Sequence, residues 1–231
     1  MIKLIKIHTY YLFSTRNVTV MLLAFILIQV INIVSWIENS TLLLSENEKI
    51  SLAWETIYSF DKLIIGLFSI FIIGNFCLPD NENYSVLFII NDYKRPIFYL
   101  FKIITISIFL LAFTLLALLF YLLIALSINK TFIIKQIYID GFIGIAINSL
   151  IYSYITIILV NLIPTFFTII ISFILFLTSD YLIENILFST FFPSVNSQII
   201  FFSNPIFLIK LILILIFYLI ISVIISRGKN Y

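Results

Sequence analysis

Residues 79–102 read PDNENYSVLFIINDYKRPIFYLFK, and the layout of the whole chain follows from how they are read. The stretch opens on polar and acidic residues with Asp80 and Glu82. It carries an apolar block at Leu87, Phe88, Ile89 and Ile90, and finishes basic at Lys94, Arg95 and Lys102 around Pro96. A segment that only joined two membrane spans would not need four apolar residues among its charges. The pattern predicts a short amphipathic helix lying at a membrane surface. A basic, proline-bearing hinge then launches a long membrane helix.

The flanks support that reading. Upstream, residues 57–78 form an apolar run closed by Pro79, with Gly66 and Gly74 eight residues apart on one helical face, where small side chains permit close helix approach. Downstream, residues 98–128 are almost unbroken in Ile, Leu and Phe, long enough to tilt or to project beyond a bilayer. Across 231 residues, 63% are hydrophobic and 10% charged, with a mean hydropathy of +1.22. Such a composition belongs to polytopic membrane proteins and leaves no stretch able to bury a soluble core of its own. The expected fold class is an all-α polytopic membrane protein forming one transmembrane domain.

The remaining elements are expected in order. Residues 1–17 suit a helix in the membrane interface, with Lys3 and Lys6 snorkelling to headgroups and His8 as an interfacial polar group. Residues 18–37 form a first span. They are too long for the apolar core of a cleaved leader, and no small-x-small site follows them. An acidic loop then leads to the 57–78 span. After a short turn, residues 141–162 make a fourth span, Pro164 interrupts, and residues 165–178 make a fifth that is short for a full crossing. Residues 187–205, which share six phenylalanines with their margins from Phe188 to Phe207, read as re-entrant on the outer side. Residues 206–226 are the last span.

Six spans place both termini on one side. That side collects Lys3, Lys6, Arg16, Lys94, Arg95, Lys102, Arg227 and Lys229, including every arginine, whereas Lys49, Lys62, Lys130, Lys135 and Lys210 fall opposite. The positive-inside rule makes the first side cytoplasmic. A net charge of +2 points to no nucleic-acid partner.

Much chemistry is excluded. No GxxxxGK[ST] loop is present to cradle a nucleotide, and a single histidine rules out HExxH spacing. One cysteine, Cys77, excludes an internal disulfide and a multi-cysteine metal site. No catalytic or metal-ligating residue is expected. Every Asp, Glu, Lys and Arg is placed near a span end or outside the spans, which argues against a proton-driven carrier. The densest polar set lies in the fourth span, where Gly144, Asn148 and Tyr152 recur every fourth residue as one stripe. Two readings stand: hydrogen bonds between helices that hold the bundle, or a polar patch along a substrate path.

Taken together, this layout resembles the membrane subunit of an ABC-2 type ATP-driven exporter. The resemblance lies in the interfacial amino terminus, the six spans with both ends inside, the outer re-entrant stretch, and above all residues 79–97. In that family the segment between spans two and three docks a cytosolic ATPase. Asp80 and Glu82 would take the acidic start, Leu87, Phe88, Ile89 and Ile90 the buried helix, and Lys94 and Arg95 the basic rim. Two departures stand out: Asn83 and Tyr84 replace the family's glycine, and residues 91–96 replace its usual turn. The resemblance implies a non-catalytic permease in a bacterial cell membrane and no cofactor in this chain. ATP and Mg would sit on partner ABC ATPase subunits, and a second permease copy or paralogue would complete the complex. Small permeases of this kind resemble exporters of amphipathic peptides, including lantibiotic-immunity systems. A self-contained channel, or an accessory or sensor protein lacking an ATPase, is the alternative.

Overall fold

The computed structural model of the protein describes residues 2–14, 16–38, 45–76, 95–129, 133–181, 189, 191–194 and 205–227. These residues form seven helices and no strand: α1 (Ile2–Ser14), α2 (Arg16–Glu38), α3 (Glu46–Phe76), α4 (Arg95–Ile128), α5 (Gln136–Leu162), α6 (Thr165–Tyr181) and α7 (Pro205–Arg227). Five of them, α2, α3, α4, α5 and α7, are long and apolar enough to cross a membrane. The sixth apolar helix, α6, has 17 residues, or about 25 Å at the α-helical rise.

Helix α5 sits at the centre and is buried nearly all round, with α3 beside it. Helices α2 and α7 lie at the periphery and turn most of their apolar surface outward. In water such faces would be costly; against lipid tails they are not. The exposed positions on α7, Ile206, Ile209, Leu213, Phe217, Ile220 and Ile224, recur every three or four residues as one continuous apolar stripe.

Two core clusters stack along the bundle. At one end Trp54 of α3 packs its ring against Tyr121 (5.2 Å between centroids), Tyr138 (5.0 Å) and Phe142 (5.6 Å) from α4 and α5. Gly141 is what admits the indole, because a Cβ there would stand 2.5 Å from it. Toward the other end Ile70, Ile73, Ile106, Leu110, Ile151, Ile155 and Leu211 close the second cluster. Helix α1 is pinned near that end, where Leu4 packs with Phe98 and Phe101. His8 meets Phe98 edge-on at 4.6 Å.

Helix α3 begins well upstream of the span expected at 57–78. Its start is a reciprocal cap: the Ser45 backbone N–H donates to Glu48 Oε2 at 2.9 Å, and the Glu48 N–H reaches Ser45 Oγ at 3.4 Å. Part of the expected acidic loop is therefore helical. This corrects the placement of charges near span ends, because Asp61 stands at the midpoint of α3 with Lys62 beside it. The connection at Pro164 is short. The Ile163 N–H caps α5 on the Leu159 carbonyl at 2.8 Å, and the Thr168 N–H already donates to the Pro164 carbonyl at 3.1 Å.

Candidate functional site

Helices α3 and α6 run antiparallel. Gly74 faces Ile169, Gly66 faces Phe176, and Lys62 faces Asp180. The two glycines let α6 lie against α3, since a Cβ at Gly66 would strike the Phe176 ring and one at Gly74 would come within 2.7 Å of Ile169. Because α6 is short, its carboxyl end stops beside the middle of α3 and not at its end.

A polar constellation closes that gap. Lys62 Nζ lies 2.5 Å from Asp180 Oδ1 and donates to Ser194 Oγ at 2.8 Å. The Ser194 hydroxyl in turn donates to Asp180. Lys62 is nearly dry at 10% side-chain exposure, whereas Asp180 is half exposed. One helix turn back on α3, Tyr58 lies within electrostatic reach of Asp180, as does Tyr152 of α5. On the α7 side, the Tyr218 hydroxyl donates to the Phe191 carbonyl at 2.8 Å. Residues 191–194 are thus held at the level of the middles of α3 and α7, within the stretch expected to be re-entrant.

Of the α5 stripe, Tyr152 reaches this region. Gly144, Asn148 and Tyr152 are all buried. Most other polar side chains of α5 are satisfied locally: Ser149, Ser153, Thr156 and Asn161 bond back to their own helix at 2.6–2.9 Å. Tyr154 crosses to Ser107 of α4 at 2.8 Å. Asn148 and Tyr152 differ. Among the described residues neither amide atom of Asn148 nor the Tyr152 hydroxyl makes a hydrogen bond of normal geometry. Tyr152 instead sets its ring edge-on to Phe176 at 5.2 Å, beside a Ser179 whose proton goes to the Phe176 carbonyl. A buried polar group left unpaired costs about 1–3 kcal/mol.

A second buried pair joins α2 to α3. Gln29 Nε2 donates to Asp61 Oδ1, and both residues are fully buried. A cleft of about 380 Å³ opens between the same helices, lined by Asn32, Trp36, Thr56, Ile57, Phe60 and Leu63 among others.

Outside the spans, His8 is buried under α1, and its imidazole is held down to about 4. Burial is the main cause and the nearby Lys102 charge adds to it, while a contact to the Phe98 carbonyl works the other way. His8 is therefore a neutral packing group between α1 and α4. Lys102, expected to open the third span, is itself buried.

Of the expected coupling residues, Asp80, Glu82, Leu87, Phe88, Ile89, Ile90 and Lys94 lie outside the described residues, as does Cys77; Arg95 opens α4. The structure brings Tyr152 toward Asp180. It adds Lys62, Ser194, Asp61 and Gln29, which the sequence reading had not singled out. The signal for two of them was present: the S-x-x-E pattern at Ser45 and Glu48 starts a helix that puts Asp61 and Lys62 at its centre.

The described residues, all-helical in their regular structure and with five helices long and apolar enough to cross a membrane, define a multi-pass membrane protein. No family model, curated protein or solved structure matches the chain.

Proposed function

We propose that the chain is the non-catalytic permease subunit of an ATP-driven exporter of the ABC-2 type. A separate cytosolic ATPase would dock on residues 79–97, and a second permease copy or paralogue would complete the complex. The observation that carries the reading is the unequal height of the helices. A short α6 ends beside Lys62 at mid-bundle, and residues 191–194 are folded against that end. A span that stops short and is topped by a stretch folding back suits the outer re-entrant part of such a permease. The long α4 directly after residues 79–94 suits a lever moved by a docked partner.

Cargo would be an amphipathic or hydrophobic peptide leaving a bacterial cell through its membrane. The broad apolar faces of α2 and α7 support that choice, together with the buried Asn148 amide, which has no partner among the described residues, and the Tyr152 hydroxyl as polar contacts along a path. ATP and Mg would be held by the partner.

The test is purification of the tagged chain from its native membrane in mild detergent, with Leu87→Asp and Ile90→Asp compared against the parent. The parent is expected to bring down a stoichiometric ATPase, and each variant to reach the membrane but lose it. If no ATPase accompanies the parent, or if both variants still retain it, the reading fails.

Asp61 supports a second reading, a proton-coupled carrier, because a carboxyl at the middle of a span is costly and suits proton movement. Transport set by the pH gradient without any ATPase would favour it.

A further inference from the structure

Asp61 and Lys62 are chain neighbours with different surroundings. Lys62 gives its ammonium to Asp180 and Ser194. The only hydrogen bond to Asp61 among the described residues is the Gln29 amide donating to Oδ1. Its other oxygen, Oδ2, has no partner there, and neither does Gln29 Oε1. Both side chains are fully buried.

Among the described residues no cation faces this carboxyl. Helix α2 carries charge only at its ends, Arg16 and Glu38. Along α4 the one titratable group beyond Lys102 is Tyr121, and the charged group of α5 is Asp140. From α6 comes Asp180, already bound to Lys62. On α3 itself the nearby groups are Glu55, Tyr58 and Lys62. An ionised carboxylate in such a place would go largely uncompensated, at a cost of several kcal/mol or more.

One proton removes the conflict. A carboxylic acid and a primary amide are complementary, each having one donor and one acceptor. Gln29 already donates to Oδ1, so a proton on Oδ2 supplies the one donor that the pair lacks, and Gln29 Oε1 is the acceptor left over. A metal cation fits poorly. Among the described residues the pair offers a cation two buried unpaired oxygens, Asp61 Oδ2 and Gln29 Oε1, where a hard cation takes about six or more oxygen ligands. The cleft between α2 and α3 supplies a way in, because its lining residues Asn32 and Ile57 lie one helical turn from Gln29 and Asp61.

We propose that Asp61 and Gln29 form a proton-binding site in the bundle, with Asp61 holding a proton on Oδ2 as a neutral acid beside the Gln29 amide and exchanging it through the Asn32 cleft. The step is a simple one: the proton enters from water, the carboxylate becomes a carboxylic acid, and no other bond changes. Losing the proton would leave a bare charge between α2 and α3, so the proton state of Asp61 governs how tightly α2 is held. This inference does not depend on the exporter reading.

Infrared spectroscopy of the full chain in lipid bilayers tests it. The wild-type minus Asp61→Asn difference at neutral pH is expected to contain the carbonyl stretch of a protonated carboxylic acid. That band should move down on transfer to D₂O and be lost at alkaline pH. Should Asp61→Asn fail to fold, aspartate-selective ¹³C labelling of an Asp140→Asn chain assigns the band without a change at Asp61, because Asp61 and Asp140 are the two fully buried aspartates among the described residues. A difference containing only carboxylate bands at neutral pH would overturn the site. An acid band that never exchanges in D₂O would overturn the cleft as its route.

Discussion

Removing either half of the Lys62–Asp180 pair should cost different amounts, and the difference follows from burial. Asp180→Ala leaves the Lys62 ammonium, only 10% exposed, with the Ser194 hydroxyl as its remaining partner among the described residues. Deleting one member of a buried pair typically costs about 3–5 kcal/mol, and the half-exposed carboxylate brings the expectation to the lower end, about 3 kcal/mol. Lys62→Met leaves Asp180 with the Ser194 donor and with access to solvent. It also fills the site with an apolar chain of similar length, so its cost should be about 1 kcal/mol or less. The double variant should resemble Lys62→Met rather than the sum, a coupling of roughly 2–3 kcal/mol. Unfolding of the purified chain in mild detergent, followed by tryptophan fluorescence, gives all four corners of the cycle. Equal single costs, a larger cost for Lys62→Met, or simple additivity would refute the view that Lys62 is the member dependent on its partner.

Three further expectations concern packing and polar groups. Gly66→Ala should destabilise by about 2 kcal/mol through its clash with Phe176, and adding Phe176→Leu should restore part of the loss in a thermal melt. Since His8 is held neutral down to about 4 from an ordinary 6.5, the unfolded chain takes up a proton over that window that the native chain refuses. His8's own contribution to stability should therefore fall as pH drops from 6.5 toward 4, by about 3 kcal/mol at most, while a proton held on Asp61 acts in the opposite sense. The wild-type minus His8→Phe difference in stability, followed against pH, isolates the His8 part. Asn148→Leu should be neutral or stabilising by about 1 kcal/mol, and Tyr152→Phe should change stability by less than about 0.5 kcal/mol, because among the described residues the Asn148 amide has no partner and the Tyr152 hydroxyl, beside Ser179, makes no hydrogen bond of normal geometry. If these groups serve a path, transport falls while the protein level holds, and a loss of stability would reveal partners within the bundle.

Much of the architecture is legible from local sequence. Apolar runs of twenty or more residues have few alternatives to a membrane-crossing helix, and Pro164 breaks a helix wherever it lies. The burial of α5 all round accords with its polar residues, four of which simply bond their own backbone. Even the true start of α3 was written in Ser45 and Glu48, though a charged stretch before an apolar run reads more readily as a loop.

What the sequence alone determined is the class, an all-helical chain made for lipid, because hydropathy and length are properties of each segment by itself. The tertiary structure decided which polar residues meet. Lys62 and Asp180 are separated by 118 positions and Gln29 and Asp61 by 32, and no periodicity links residues on different helices. Their meeting depends on the height at which α6 ends, on Gly66 and Gly74 letting it approach α3, and on the angle at which α2 leans against α3. Those are packing outcomes. They are also why Asp61 and Lys62, adjacent in the chain, carry different partners and opposite expectations about charge.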